Sequence, residues 1–174
     1  MQLHFHNYRF ADEVLSSEKF LKSKKEVVDI LSRLPAIKVG EEPWSIPTKK
    51  PKKAKFPVDQ NAMNRWLDDQ FKPLDWEWHP SIVPGTHLAG DYRKDRIQIE
   101  VQFGNMARWT YDILKFQICY SQDIIDVGIL AVPMQSLAKE IGENIAHFER
   151  VSRELPHAKL SITLPILVIG LESE

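Results

Sequence analysis

The segment from Ile97 to Phe103 restricts the fold more than any other. Ile97, Ile99, Val101 and Phe103 alternate with Gln98, Glu100 and Gln102. Successive side chains of an extended chain point to opposite faces, so this is a strand with one apolar and one polar side. Such a strand needs a sheet and a core, and the flanking sequence supplies both. Residues 124–132 (IIDVGILAV) form a nearly continuous apolar run, as expected of a central strand buried on both faces. Residues 160–171 (LSITLPILVIGL) predict one or two further strands, with Pro165 marking an edge position or a break. Residues 74–90 hold Trp76, Trp78, Ile82, Val83 and Leu88, interrupted by Pro80 and Pro84-Gly85, and fit a short strand or two with turns. His4 and His6 alternate near the N-terminus, and a short edge strand accounts for them better than a metal site does.

Helical spacing appears in four places. Residues 17–34 carry Phe20, Leu21, Val27, Val28, Leu31 and Leu34, with Ser17 as the expected cap and Pro35 after the end. Asp59 is placed to cap a second helix with the stripe Met63, Trp66, Leu67 and Phe71, stopped by Pro73. Residues 107–120 are apolar on most sides and predict a buried helix. Residues 135–152 set Leu137, Ile141, Ile145, Phe148 and Val151 in register. The order of elements predicts an α/β sandwich, a central mixed β-sheet flanked by helices. A length of 174 residues suits a single domain spanning 1–174.

Composition excludes several classes. No apolar run approaches the ~20 residues that span a membrane. The N-terminus MQLHFHNYRF has no basic region followed by an apolar stretch, so no secretory signal is expected. Cys119 is the single cysteine, which rules out an internal disulfide and fits a reducing, cytoplasmic setting. Within ILKFQICY it reads as a packed thiol. A net charge of −1 argues against a globally basic surface, so any nucleic-acid contact has to be local. Residues 49–55 (KKPKKAK) hold five lysines, kept non-helical by prolines at 47, 51 and 57. Lys49 to Lys55 is either a solvated loop or a phosphate-contacting arm.

The polar side of the central strand carries the chemistry. Glu100 and Gln102 are neighbours on one face, about 7 Å apart by strand rise. Asp91 follows Gly90 and can return to that face through a turn. Two converging carboxylates repel each other unless a cation lies between them, and hard divalent ions take oxygen ligands. An ordinary solvated strand face is the competing explanation. Asp95 is a rival carboxylate. It lies an odd number of residues from Glu100 and points away, fit for a surface ion pair with Lys94 or Arg96.

Residues 90–105, GDYRKDRIQIEVQFGN, resemble the active-site segment of the BglII and BstYI type II restriction endonucleases, within the PD-(D/E)xK nuclease superfamily. Asp91, Glu100 and Gln102 match that group's signature of Asp followed nine residues later by Glu-x-Gln, where many relatives have Glu-x-Lys. NYRFADEVL (residues 7–15), IDVGILAVPM (125–134), LAKE (137–140) and LVIG (167–170) extend the resemblance over most of the chain.

The resemblance implies a Mg²⁺-dependent nuclease acting as a homodimer on a palindromic double-stranded DNA site, with a central GATC and a 5′ overhang as expectations. It implies that Asp91 and Glu100 bind the metal with the Val101 carbonyl, and that Gln102 stands where a lysine is usual. Being neutral, Gln102 can orient water or bond a phosphate oxygen, while positive charge has to come from the metal, Lys94, Arg93 or Arg96. Glu77 is a further carboxylate, set between two tryptophans. Asn105 matches a base-reading Asn, although Gly104-Asn105 also fits a tight turn with a left-handed residue. Arg108 is expected to meet a phosphate or a guanine. Gly142 inside a good helical pattern points to a break that presents Asn144. Trp109, Tyr111 and Phe116 are assigned to core packing or a dimer interface, and His147 and His157 to the surface. Two other activities remain open: a relaxed-specificity repair or mobile-element nuclease of the same fold, and a DNA-binding module that does not cut.

Overall fold

The computed structural model describes residues 1–41, 43–45 and 55–173. Lysines 49, 50, 52 and 53 of the basic stretch lie outside the described residues. The chain begins with the expected edge strand, β1 (Gln2–Tyr8), and continues with a short helix α1 (Ala11–Leu15) that periodicity did not reveal. Helix α2 (Leu21–Arg33) starts four residues later than its apolar spacing predicted. Ser17 does not cap it. Its hydroxyl donates to the Val14 carbonyl (2.7 Å), and its own carbonyl accepts from Phe20 and Leu21 in a preceding turn.

Helix α3 (Gln60–Phe71) starts where expected. The Asp59 carboxylate accepts the Asn61 and Ala62 amides at 2.9 and 3.0 Å, which satisfies two of the donors orphaned at a helix start. Asp59→Ala is expected to cost about 1 kcal/mol, read as a lower urea midpoint at unchanged slope. Pro73 falls in a 3-10 turn, Lys72–Leu74, that closes the helix. Strands β2 (Glu77–Trp78), β3 (Tyr92–Lys94) and β4 (Ile97–Val101) follow. Asp95 and Arg96 join β3 to β4 with φ of 50° and 66°, a two-residue turn whose twist suits a hairpin. Helix α4 (Arg108–Ser121) and strand β5 (Val127–Pro133) come next. The long helix expected over 135–152 is two: α5 (Gln135–Ile141), ending at Gly142, and α6 (Phe148–Glu154). Strand β6 (Ile166–Glu172) closes the chain, and Pro165 marks its start, not an edge.

The sheet order is β1-β6-β5-β4-β3-β2. The β4–β5 and β5–β6 pairs are parallel and the rest antiparallel, so the sheet is mixed, with helices on both faces. One core joins α1, α2, α3 and α5 to a sheet face that includes Ile97, Ile99, Ile129 and Leu167. The other joins α4 and α6 to Leu130, Val132, Ile166 and Val168. This layering decides what happens to the polar side of β4. Gln98 and Glu100 are 0% and 1% exposed, because α4 lies over them. A solvated strand face is therefore excluded. Among the described residues, no helix is long and apolar enough to cross a membrane.

Candidate active site

Glu100 and Gln102, from the polar row that begins on β4, line a cleft of about 420 Å³ together with Asp91, Arg108, Asp112 and Lys115. Asp91 reaches it by the turn after Gly90. Its Oδ2 accepts the Val101 amide at 2.7 Å, which ties the carboxylate to the strand beside Glu100. Glycine at position 90 leaves room for this network, since a Cβ there would stand 2.8 Å from Gln98 Nε2 and 3.0 Å from Glu100 Oε1 and push the Gln98 carboxamide aside.

Glu100 is held from two sides. Gln98 Nε2 donates to its Oε1 at 2.9 Å, and Gln98 Oε1 in turn accepts from Arg93 Nη2 (2.9 Å) and the Cys119 thiol (3.3 Å). On the other side, Lys115 Nζ bonds its Oε2. Burial, the packing of Cys119 on this network and a raised thiol pKa caused first by desolvation agree with an unreactive thiol.

Two residues of this site escaped the sequence reading, Asp112 and Lys115, one helical turn apart on α4. Lys115 is 8% exposed and bridges Glu100 to Asp112 Oδ1, the latter at 2.9 Å. Asp112 Oδ2 accepts from Gln102 Nε2 at 2.6 Å, and Gln102 Oε1 accepts the Gly104 amide at 2.8 Å.

Burial raises the Asp91 carboxyl above the usual range, against the Val101 amide and the Lys115 charge, which lower it. Glu100 is raised well above its ordinary value, by burial first and by the Asp91 charge second. Burial alone would lower the Lys115 ammonium, but the Glu100 and Asp112 carboxylates together outweigh it and hold the pKa up. Desolvated, mutually repelling carboxylates favour a cation between them. Among the described residues, no group of three or more His, Cys, Asp or Glu is arranged to hold a metal. The donor set that fits is two carboxylates with a backbone carbonyl, all oxygen, which suits a hard divalent ion.

The remaining expected site residues separate into two groups. Asn105, Arg108 and Asn144 are all exposed; Arg108 lines the cleft, Asn105 directly follows its lining residue Gly104, and Asn144 lines a separate hollow with Met106 and His147. Asn105 is not left-handed. Its side chain instead accepts the Ala107 amide at 2.9 Å in a local turn. Asn144 does take the left-handed conformation, with φ 55°. Its carbonyl accepts the Met106 amide at 2.7 Å, and the neighbouring Asn105 and Ile145 form a bridge, so the two asparagine loops are joined.

The cationic side chains expected near the strand lie elsewhere. Lys94 is drawn to Glu26 (2.9 Å) and the Leu74 carbonyl (2.7 Å). Arg96 pairs with Asp123 and Asp126, and Arg93 is spent on Gln98 and the Ser81 carbonyl. None of the three lines the cleft. Asp95 points away from Glu100, as expected, and accepts from Ser23 Oγ at 2.6 Å. Glu77 is exposed on β2 at the sheet edge and does not line the cleft. Helix α4 is not buried all round either, since Tyr111 and Leu114 are 52% and 48% exposed.

A family model described as restriction endonuclease BglII/BglIII matches residues 3–171. Two solved structures share the fold. Restriction endonuclease BglII complexed with a DNA 16-mer is 18% identical with a TM-score of 0.78, over 100% of this chain and 78% of that one. Free BglII is 17% identical with a TM-score of 0.72, over 100% of this chain and 81% of that one. No curated protein matches the chain in sequence.

Proposed function

The chain belongs to the restriction endonuclease BglII/BglIII family and is a type II site-specific DNA nuclease; on that premise we propose that it is a Mg²⁺-dependent homodimer cutting double-stranded DNA at palindromic sites. The observation that carries this reading is the meeting of Asp91 and Glu100 in the cleft, both held by hydrogen bonds from β4, Asp91 by the Val101 amide and Glu100 by the Gln98 carboxamide. Asp91, Glu100 and the Val101 carbonyl would hold the divalent ion, which when bound polarises a phosphoryl oxygen and lowers the pKa of a water. The chain keeps both carboxylates oriented and largely out of water, so that neither has to reorganise during the reaction. The water oxygen bonds to phosphorus, the bond to the 3′ oxygen breaks, and that oxygen leaves as a hydroxyl. The products are a 3′-hydroxyl and a 5′-phosphate.

Asn105 and Asn144 are assigned to base edges, where an Asn can pair bidentately with adenine, and the exposed Arg108 to a phosphate or a guanine. The exposed face of α4, with Tyr111 and Leu114, is the proposed dimer contact. Two-fold symmetry lets each protomer cut one strand. A central GATC and a 5′ overhang complete the proposal. Plasmid and phage DNA incubated with Mg²⁺ are expected to give discrete bands that EDTA abolishes. A smear would favour a relaxed nuclease, retarded but intact DNA a binding module, and no effect on any DNA would sink the proposal.

A further inference from the structure

Gln102 stands where a lysine would supply charge to the phosphate, yet both ends of its carboxamide are already committed within the protein. One end donates to Asp112 and the other accepts from the Gly104 amide. The same carboxylate of Asp112 holds Lys115, whose ammonium also lies on Glu100. Glu100, on β4, and Gln102, just past its end, are two residues apart, and Asp112 and Lys115 are three apart on α4. Those spacings bring each pair to one face of its element, so the four side chains form a continuous run of contacts, Glu100 to Lys115 to Asp112 to Gln102, across the strand–helix junction.

Among the described residues, the lysine and arginine side chains lining the cleft are Lys115 and Arg108. Arg108 is exposed at the mouth, whereas Lys115 sits at the floor beside the metal-binding carboxylate. We infer that Lys115, reaching in from α4, is the catalytic residue that gives positive charge to the phosphate. Gln102 and Asp112 are positioning residues that hold its ammonium there. The neutral Gln102 is thereby explained. A lysine at position 102 would crowd a second ammonium against Asp112, whereas a carboxamide of similar reach ends the run of contacts without charge.

This inference rests on the nuclease reading, and its test separates the two. The full-length wild-type protein is first used to map a cut site on plasmid DNA, and a linear duplex carrying that site is the probe thereafter. Lys115→Met is expected to slow single-turnover cleavage about 100-fold or more, the loss typical when one charge-stabilising donor is removed. Duplex affinity in Ca²⁺, followed by fluorescence anisotropy, is expected to stay within about threefold, since exposed groups carry most of the DNA contact. Calorimetry of the free protein should show Mn²⁺ bound at least as tightly as by wild type, because the ammonium competes for Glu100. Lys115→Arg should retain more activity than Lys115→Met.

Should truncation at 115 fail to fold, Lys115→Gln is compared with the double variant Gln102→Lys/Lys115→Gln. The double variant should cut about tenfold faster or better, because a cation has returned to the strand. Wild-type cleavage with Lys115→Met cutting within threefold of it would overturn the inference and leave the nuclease reading standing. Loss of Mn²⁺ binding in Lys115→Met, or no gain in the double variant, would make Lys115 a prop for the ligands and also overturn it. A wild type that cuts no DNA would remove both.

Discussion

Asp91→Asn is expected to lower cleavage on the order of 10³-fold, since losing several kcal/mol of metal-supplied stabilisation costs tenfold per 1.36 kcal/mol. It is also expected to leave the melting temperature unchanged or higher. The wild-type carboxylate accepts the Val101 amide, and an Asn oxygen can keep that bond. What the variant removes is a buried charge. Burial raises the folded-state pKa of Asp91 above its unfolded value, so ionising it disfavours the folded protein. The penalty is absent below the unfolded-state pKa, grows as pH rises between the two values, and is complete above the folded-state value. Measured in EDTA, the stability advantage of Asp91→Asn should therefore be present at neutral pH and close on acidification. Single-turnover cleavage and scanning calorimetry decide it. A variant that cuts within about tenfold of wild type, or one that melts far lower at neutral pH, would mean Asp91 is a structural residue.

How much of this was legible beforehand depends on the length scale of the signal. The alternation from Ile97 to Phe103 needs only neighbouring residues, and β4 follows it. Asp59 is equally local, because a cap bonds amides two and three residues ahead. The break at Gly142 was also readable from local chemistry, whereas the left-handed residue that Gly104-Asn105 suggested falls at Asn144 instead. What failed were statements about which partner a side chain would find. Lys94 and Arg96 lie next to the motif in sequence, but Glu26 on α2 and Asp126 before β5 claim them. Lys115 lies 15 positions from Glu100 yet bonds it, because α4 folds back across the strand. A signal for it did exist. Asp112 and Lys115 share the stripe of α4 that holds Trp109, Phe116 and Cys119, whereas the apolar Leu114 and Tyr111 face out. Charges on the buried side of a helix and apolar groups on the outer side invert the usual pattern. Such inversions gather where function overrides folding rules.

If α4 is the platform that carries Lys115 to Glu100, then loosening its seat should damage catalysis beyond its effect on stability. Phe116 is the seat. Its ring is fully buried and lies directly on Gly128 of β5, where a Cβ would come within 2.8 Å of it. Gly128 pairs with Gln98 of β4, so the ring packs one strand away from the residue that orients Glu100. Phe116→Ala removes that contact and leaves a cavity, at a cost of about 3–5 kcal/mol and roughly 10 °C in melting temperature. Ile30→Ala, in the opposite core under α2, is expected to cost about 2–5 kcal/mol with no displacement of α4. Both variants are compared by single-turnover cleavage far below their melting temperatures, where each is folded. Ile30→Ala should cut at the wild-type rate. Phe116→Ala should be slower by about 10- to 100-fold, because a shift near 1 Å in a positioned group costs that much. Equal rates would show that the height of α4 above the sheet does not matter to the reaction.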